Sequence, residues 1–247
     1  MKRLRPPLKT PGSNGYAMLL QKECADHLRS YYRTLTGNKL KSSHAHELVA
    51  AFFGYGTAAA LQAEARFPLT GLGEAAFLIP DLLRMDQRVQ QIKDLPADLP
   101  TVDDLASTIC DFLVETGRFN GRIWQARDLS DEVNGYVQDD PLMIEDALSG
   151  EIATTNAFFD ELYIDEYSFQ SNDDALTITL TGALNGESDE DRAFHGDKIL
   201  FTTVMTFNRI AGRIAYKAPE LDTEGAVDDP HYDDSYCDDE PEPEAAS

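Results

Sequence analysis

Several groups of residues in this chain have types and spacings that could do chemistry. The stretch Ser42 to Arg66 has the outline of a DNA-binding helix pair, with Ala50 at the small position, Gly54 at the turn and Leu61 at a buried position. A helix that enters a major groove presents Arg, Lys, Asn or Gln to base edges. This one offers Ala58, Ala59, Ala60, Gln62, Ala63 and Glu64, with Arg66 alone at its end, so direct DNA binding is not expected. His44 and His46 are two apart, a spacing that shares a face on a strand but not on a helix. Glu47 could join His44 on one helix face, yet further ligands are not evident, so no metal or other cofactor is expected. The acidic pairs Asp139-Asp140, Asp160-Glu161, Asp165-Glu166 and Asp173-Asp174 could feed acid–base or divalent-metal chemistry if folding brought them together. In a chain with 44 acids such pairs arise by composition alone, and they read as solvated surface. No glycine-rich phosphate loop, Gly-x-Ser-x-Gly elbow or nucleophile–base pairing stands out, so no catalytic residue is assigned.

Charge narrows the function classes further. The chain is formally −23, and the charge is unevenly placed. Residues 1–60 hold nine Lys/Arg against three Asp/Glu, whereas residues 128–247 hold five against thirty-one. The acidic half repels polyanions and invites basic partners. Lys2, Arg3, Arg5 and Lys9 form a short basic arm that could neutralise phosphates or pair with the acidic end. No apolar run is long enough to cross a bilayer, and Pro6-Pro7 stands where a signal peptide would have its apolar region. The three cysteines, Cys24, Cys110 and Cys237, show neither a disulfide framework nor Cys-x-x-Cys spacing, so they read as reduced thiols in a cytoplasmic protein.

The elements that must position these residues are helical first. Prolines and glycines in 1–15 predict a flexible arm. A helix runs from Tyr16 until Gly37-Asn38 stops it. Ser42 or Ser43 can cap a second helix whose apolar face is Leu48, Val49, Phe52 and Phe53, and Gly54 suits the left-handed residue that ends it. Thr57 can cap a third helix, Ala58 to Arg66. A further helix is expected over Glu74 to Ile92, with a break at Pro80, and Thr101 with Asp104 resembles a capping box opening another that ends at Gly117. From about Ala157 the period becomes two: Leu162 to Phe169, Leu176 to Leu180, Ile199 to Asn208 and Arg213 to Tyr216 read as strands, with an acidic loop over Gly182 to Gly196. After Glu220 there are eleven Asp/Glu and no Lys or Arg, which predicts a disordered tail.

Leu40 to Ala63 carries a Ser43-His44 pair, a helix with Glu47-Leu48-Val49-Ala50, a Phe53-Gly54 turn and a helix with Ala60-Leu61-Gln62-Ala63. This segment resembles the helical module of bacterial glyoxalase-related proteins, and Ala75 to Ile92 is similar to the stretch C-terminal to that module in larger members. The resemblance covers about a third of the chain. It implies a helical appendage rather than the metal-binding glyoxalase fold, and no catalytic residue.

The sequence therefore predicts an α+β protein: a flexible basic arm (1–15), a helical domain (16–150), a small antiparallel β-meander domain (151–221) and a disordered acidic tail (222–247). The expected function is that of a non-enzymatic bacterial interaction or regulatory protein acting through its helical module and acidic C-terminal half. Its partner would be a protein of basic or nucleic-acid-binding character, with no membrane involved. Asp228, Asp229, Asp233, Asp234, Asp238, Asp239 and Glu240 are the candidate partner-binding residues. The alternatives are an acidic nucleic-acid mimic and a metal-dependent enzyme.

Overall fold

A computed structural model describes residues 13–188 and 197–228. Helix α1 (Ser13–Thr36) begins inside the stretch expected to be a flexible arm and ends where Gly37 takes a φ of +75°. Its buried face, Leu20, Cys24, Leu28 and Tyr32, repeats at helical spacing and packs into one core with Leu48, Val49, Phe52 and Phe53 of α2 (Ser42–Phe52) and its C-cap. The expected serine cap of α2 is corrected: Lys41 occupies the N-cap and no side chain bonds the first turn. Helix α3 is short, Ala58–Gln62, although Thr57 does cap it, its hydroxyl accepting from the Ala60 N–H at 3.1 Å.

The helix expected over Glu74 to Ile92 is also corrected. A 3-10 turn (Leu69–Glu74) leads into a two-residue strand, β1 (Phe77–Leu78), and only then does α4 (Leu82–Gln91) begin, behind Pro80. Helix α5 (Val102–Glu115) opens on the capping box read from the sequence, with the Thr101 and Asp104 side chains each bonding the other's backbone N–H. Strand β2 (Arg122–Ile123) and helices α6 (Ser130–Asp139), α7 (Leu142–Glu145) and α8 (Ser149–Thr154) follow. The remaining strands are β3 (Ala157–Ser171), β4 (Ala175–Ser188), β5 (Lys198–Ala211), β6 (Ala215–Tyr216) and β7 (Glu220–Val227).

The fold is α+β, but the sheet is mixed and not a purely antiparallel meander. Its strand order is β2-β1-β6-β5-β4-β3. Strand β1 runs parallel to β2, pairing Phe77 with Arg122, and antiparallel to β6, pairing Phe77 with Tyr216. Strand β6 in turn runs antiparallel to β5, with a bulge between Arg209 and Ala211. The parallel pair exists because β1 and β2 are separated by all of α4 and α5, a crossover long enough to bring the chain back in the same direction.

The described residues form two compact units. The first comprises 13–135, 169–178 and 205–221, so two segments expected in a separate β domain pack with the helices instead. Within it Phe77, Trp124 and Phe207 pack edge-on, their ring centroids 4.8 to 5.5 Å apart. The second unit holds the described residues of 136–168, 179–204 and 222–228. There β7 pairs with β5, and the Thr203 and Thr223 hydroxyls lie 2.9 Å apart. The tail expected from 222 is thereby corrected at its start, since 220–227 is a strand and the Asp228 N–H donates to Lys198 O at 2.8 Å. The acidic loop expected from Gly182 begins as strand, β4 running on to Ser188, and 189–196 lie outside the described residues.

Candidate functional site

The first unit holds a cleft of about 800 Å³, within the size range of small-molecule sites. Four of the chain's thirteen arginines line it: Arg84, Arg127, Arg209 and Arg213. In a chain of net charge −23 this concentration is the feature that needs a reason.

Each arginine arrives from a different local device. Arg84 lies in the first turn of α4, which Asp81 caps by accepting the Arg84 backbone N–H at 2.8 Å. The same carboxylate is 3.8 Å from Arg84 Nε, too far for a hydrogen bond, and that buried Nε has no acceptor among the described residues. Arg127 follows β2 and is held by Asp86 and Asp103, the second pair at 2.8 Å, so its charge is largely spent within the chain.

Arg209 is on β5 and reaches across to the turn between β3 and β4. It donates from Nη1 to the carbonyls of Asn172 and Asp173 and lies over the Tyr216 ring at 5.6 Å. The turn is rigid because Asn172 Oδ1 accepts from the Asp174 and Ala175 N–H groups, both at 2.8 Å. Arg213 follows the tight turn at Gly212. Its guanidinium sits 5.2 Å above the Tyr55 ring, and no carboxylate forms an ion pair with it among the described residues.

A glycine makes the position of Arg213 reachable. Gly54 has a φ of +86°, and a Cβ placed on it would lie 2.7 Å from Arg213 Cβ. The Arg213 N–H donates to Phe53 O at 3.1 Å, so the end of α2 and the β5–β6 turn are in direct backbone contact. Behind them Tyr55 donates to Glu64 Oε2 at 2.7 Å, while the Arg66 and Phe67 N–H groups donate to Oε1 at 2.6 and 3.1 Å. Burial works to raise the Glu64 carboxyl. The hydrogen bonds from Tyr55, Phe67 and Arg66, with Arg213 nearby, outweigh it and hold the group below its ordinary value.

The rest of the lining is largely apolar, with two acids and the polar Ser171, Asn172 and Tyr216. Ile79, Leu82, Leu129, Leu176 and Ile214 make the floor, and Leu83, which is 67% exposed, stands in the lining too. Asp81 and Asp173 are its carboxylates, and no histidine, cysteine, lysine or glutamate among the described residues lines it. Such a lining can recognise an anionic group by paired guanidinium donors.

The residues singled out from the sequence lie elsewhere, apart from Gly54 and Asp173. Asp228 follows β7, its carboxylate 3.7 Å from Lys198 Nζ, while Asp229, Asp233, Asp234, Asp238, Asp239, Glu240 and Cys237 lie outside the described residues. His44 is buried on α2, and burial with Lys41 nearby lowers its pKa. Glu47 is clamped by Arg88, whose Nη2 donates at 2.6 Å, and caps α3 through the Ala58 N–H at 3.3 Å, so it is a structural carboxylate. Among the described residues no three His, Cys, Asp or Glu side chains come together to hold a metal ion, and no helix is long and apolar enough to cross a membrane.

Sequence reading missed the arginines. One signal was present: Arg209 and Arg213, four apart around Gly212, are two of only five Lys/Arg in the acidic half. No protein-family model, curated protein or solved structure matches the chain.

Proposed function

We propose that this is a non-enzymatic binding protein whose recognition site is the arginine-lined cleft of the first unit, and that the cleft takes an anionic group. The observation that supports this is the incomplete neutralisation of its arginines. Arg213 has no carboxylate partner among the described residues, and Arg84 has only the distant Asp81. Guanidinium groups held on an apolar floor gain more from a bound anion than they would in bulk water, because the local dielectric is lower. The test is calorimetric titration of the full chain with octanoate, sulfate and pyrophosphate, repeated on Arg84→Gln and Arg213→Gln. At least one anion binds the wild type and loses about tenfold or more in the variants, as expected for losing a charged hydrogen bond. If no anion binds, or the variants bind equally well, the reading fails.

A second reading, an interaction surface for a basic partner, draws on the second unit. Asp160, Glu161, Asp165 and Glu166 of β3 and Asp222 and Glu224 of β7 are exposed on strands, with Tyr163 and Leu200 exposed among them. Carboxylates carried on folded strands are what a partner-binding face, or a nucleic-acid mimic, requires. A pull-down with full-length protein and with a chain ending at Asp228 separates this face from the segment beyond it. A salt-sensitive basic partner retained by both supports the face, and loss of the partner on truncation overturns it.

A further inference from the structure

The same cleft restricts what the anion can be. Resting on the reading of the cleft as an anion site, we propose that its ligand is an amphiphilic organic monoacid: one carboxylate on an apolar body, not an inorganic anion or a polyphosphate.

The charge count comes first. Arg127 is matched by Asp86 and Asp103. Of the others, Arg209 already donates to two carbonyls of the β3–β4 turn, and the lining also carries the carboxylates of Asp81 and Asp173. Counted with the carboxylates that hold Arg127, four guanidinium groups face four carboxylates, so the cleft has no surplus positive charge, and what it offers a ligand is the unfilled N–H donors of Arg84 and Arg213. One carboxylate can take those donors while adding a single negative charge. A pyrophosphate or a nucleotide triphosphate would bring additional negative charge against Asp81 and Asp173, and the lining holds no lysine and no glycine-rich loop to absorb it.

The second argument is the apolar half of the cleft. Ile79, Leu129, Leu176 and Ile214 give the cleft of about 800 Å³ an apolar side that a sulfate or phosphate ion has no means to use. Leu83 lines the cleft while 67% exposed, although α4 has buried Leu82 and Met85 beside it. A large exposed leucine in a concave site is surface waiting for an apolar contact. A carboxylate accepts two parallel N–H bonds from one guanidinium, which would fix the head of such a ligand at Arg213 or Arg84 while its body lies on the floor.

The test uses the full-length protein and three probes: octanoate, octanol and pyrophosphate, each titrated calorimetrically into wild type, Arg213→Gln and Leu83→Ser. Both substituted side chains are exposed, so the variants keep their folded Trp124 emission, which is checked first. Octanoate should bind at least tenfold more tightly than either octanol or pyrophosphate. Arg213→Gln should remove most of that advantage over octanol without changing octanol binding, and Leu83→Ser should weaken octanoate about fivefold. Pyrophosphate binding as tightly as octanoate, and lost in Arg213→Gln, overturns this proposal while leaving the cleft an anion site. Octanoate binding that ignores both substitutions also overturns it. If none of the three probes binds, sulfate decides: sulfate binding that is lost in Arg213→Gln overturns only the monoacid, and absence of any binding overturns the anion site as well.

Discussion

Replacing Gly54 with alanine tests the geometry that brings Arg213 to the cleft. Two costs separate cleanly. The first is conformational: an L-residue at a φ of +86° costs about 1–2 kcal/mol relative to glycine. The second is steric. The new methyl would lie 2.7 Å from Arg213 Cβ, about 1 Å inside a normal carbon–carbon contact. Neither backbone can yield alone, because the Arg213 N–H is bonded to Phe53 O and the Gly54 N–H to Ala51 O. Overpacking of this kind costs about 1–3 kcal/mol, so Gly54→Ala should lose about 2–5 kcal/mol in all.

Two other glycines isolate the terms. Gly37 has a φ of +75° with nothing within 4 Å of a Cβ, so Gly37→Ala carries the conformational cost alone. Gly56 has an ordinary φ and open space, so Gly56→Ala should be close to neutral. Urea unfolding followed by fluorescence reads the first unit directly, because Trp124 is the chain's one tryptophan and is buried. The expected order is Gly56→Ala, Gly37→Ala, Gly54→Ala, with at least about 1 kcal/mol between the last two. If Gly54→Ala and Gly37→Ala lose the same stability within about 0.5 kcal/mol, the close approach is not a constraint and the account of Arg213 is wrong.

Other outcomes rest on the buried polar groups. Glu64 lies below its ordinary value of 4.5, so its stabilisation is complete above that pH and disappears as pH falls through the lower folded value. Glu64→Gln should therefore cost about 1–2 kcal/mol near neutrality, and its unfolding curve should converge with wild type in acid. A gap that persists to about pH 2 would show that packing and not charge is what the substitution removes. Burial pushes the thiols of Cys24 and Cys110 up to about 12. Iodoacetamide at about pH 8 should leave both unmodified in the native protein and label both after unfolding, read by peptide mass spectrometry. Rapid native labelling at either position would contradict the packing of α1 and α5.

Much of the helical half was legible because its signals are local. The Thr101–Asp104 box, the Thr57 cap and the Gly54 stop each involve residues within one turn of each other, and all three appear as read. The two-residue strands were not legible. Phe77-Leu78 and Arg122-Ile123 are too short to show a period, and each becomes a strand only through partners distant in the chain: β2 on β1 across α4 and α5, and β1 also on β6. The cleft was illegible for the same reason on a larger scale. Its arginines come from α4, the segment after β2, β5 and the turn into β6, and nothing in the spacing of Arg84, Arg127 and Arg209 announces that they meet. Composition also misdirected the reading of 222–227: its acids sit on the exposed alternate positions of β7, while Thr223 faces inward to Thr203, a period of two easily lost among so many carboxylates.

The rim and the floor of the cleft have different standing in the fold. Leu82, Leu176 and Ile214 are buried residues of helix, strand and turn, and changing them disturbs the packing of the unit. Ser171, Asn172 and Asp173 form an exposed turn whose own Asx hydrogen bonds fix its shape and whose carbonyls tether Arg209. The rim at that turn is thereby solvent-facing and free of core packing, while stability rests on the layer beneath. Substitutions at that turn can reshape the mouth of the cleft or release Arg209 from its two carbonyls while the scaffold stays as it is.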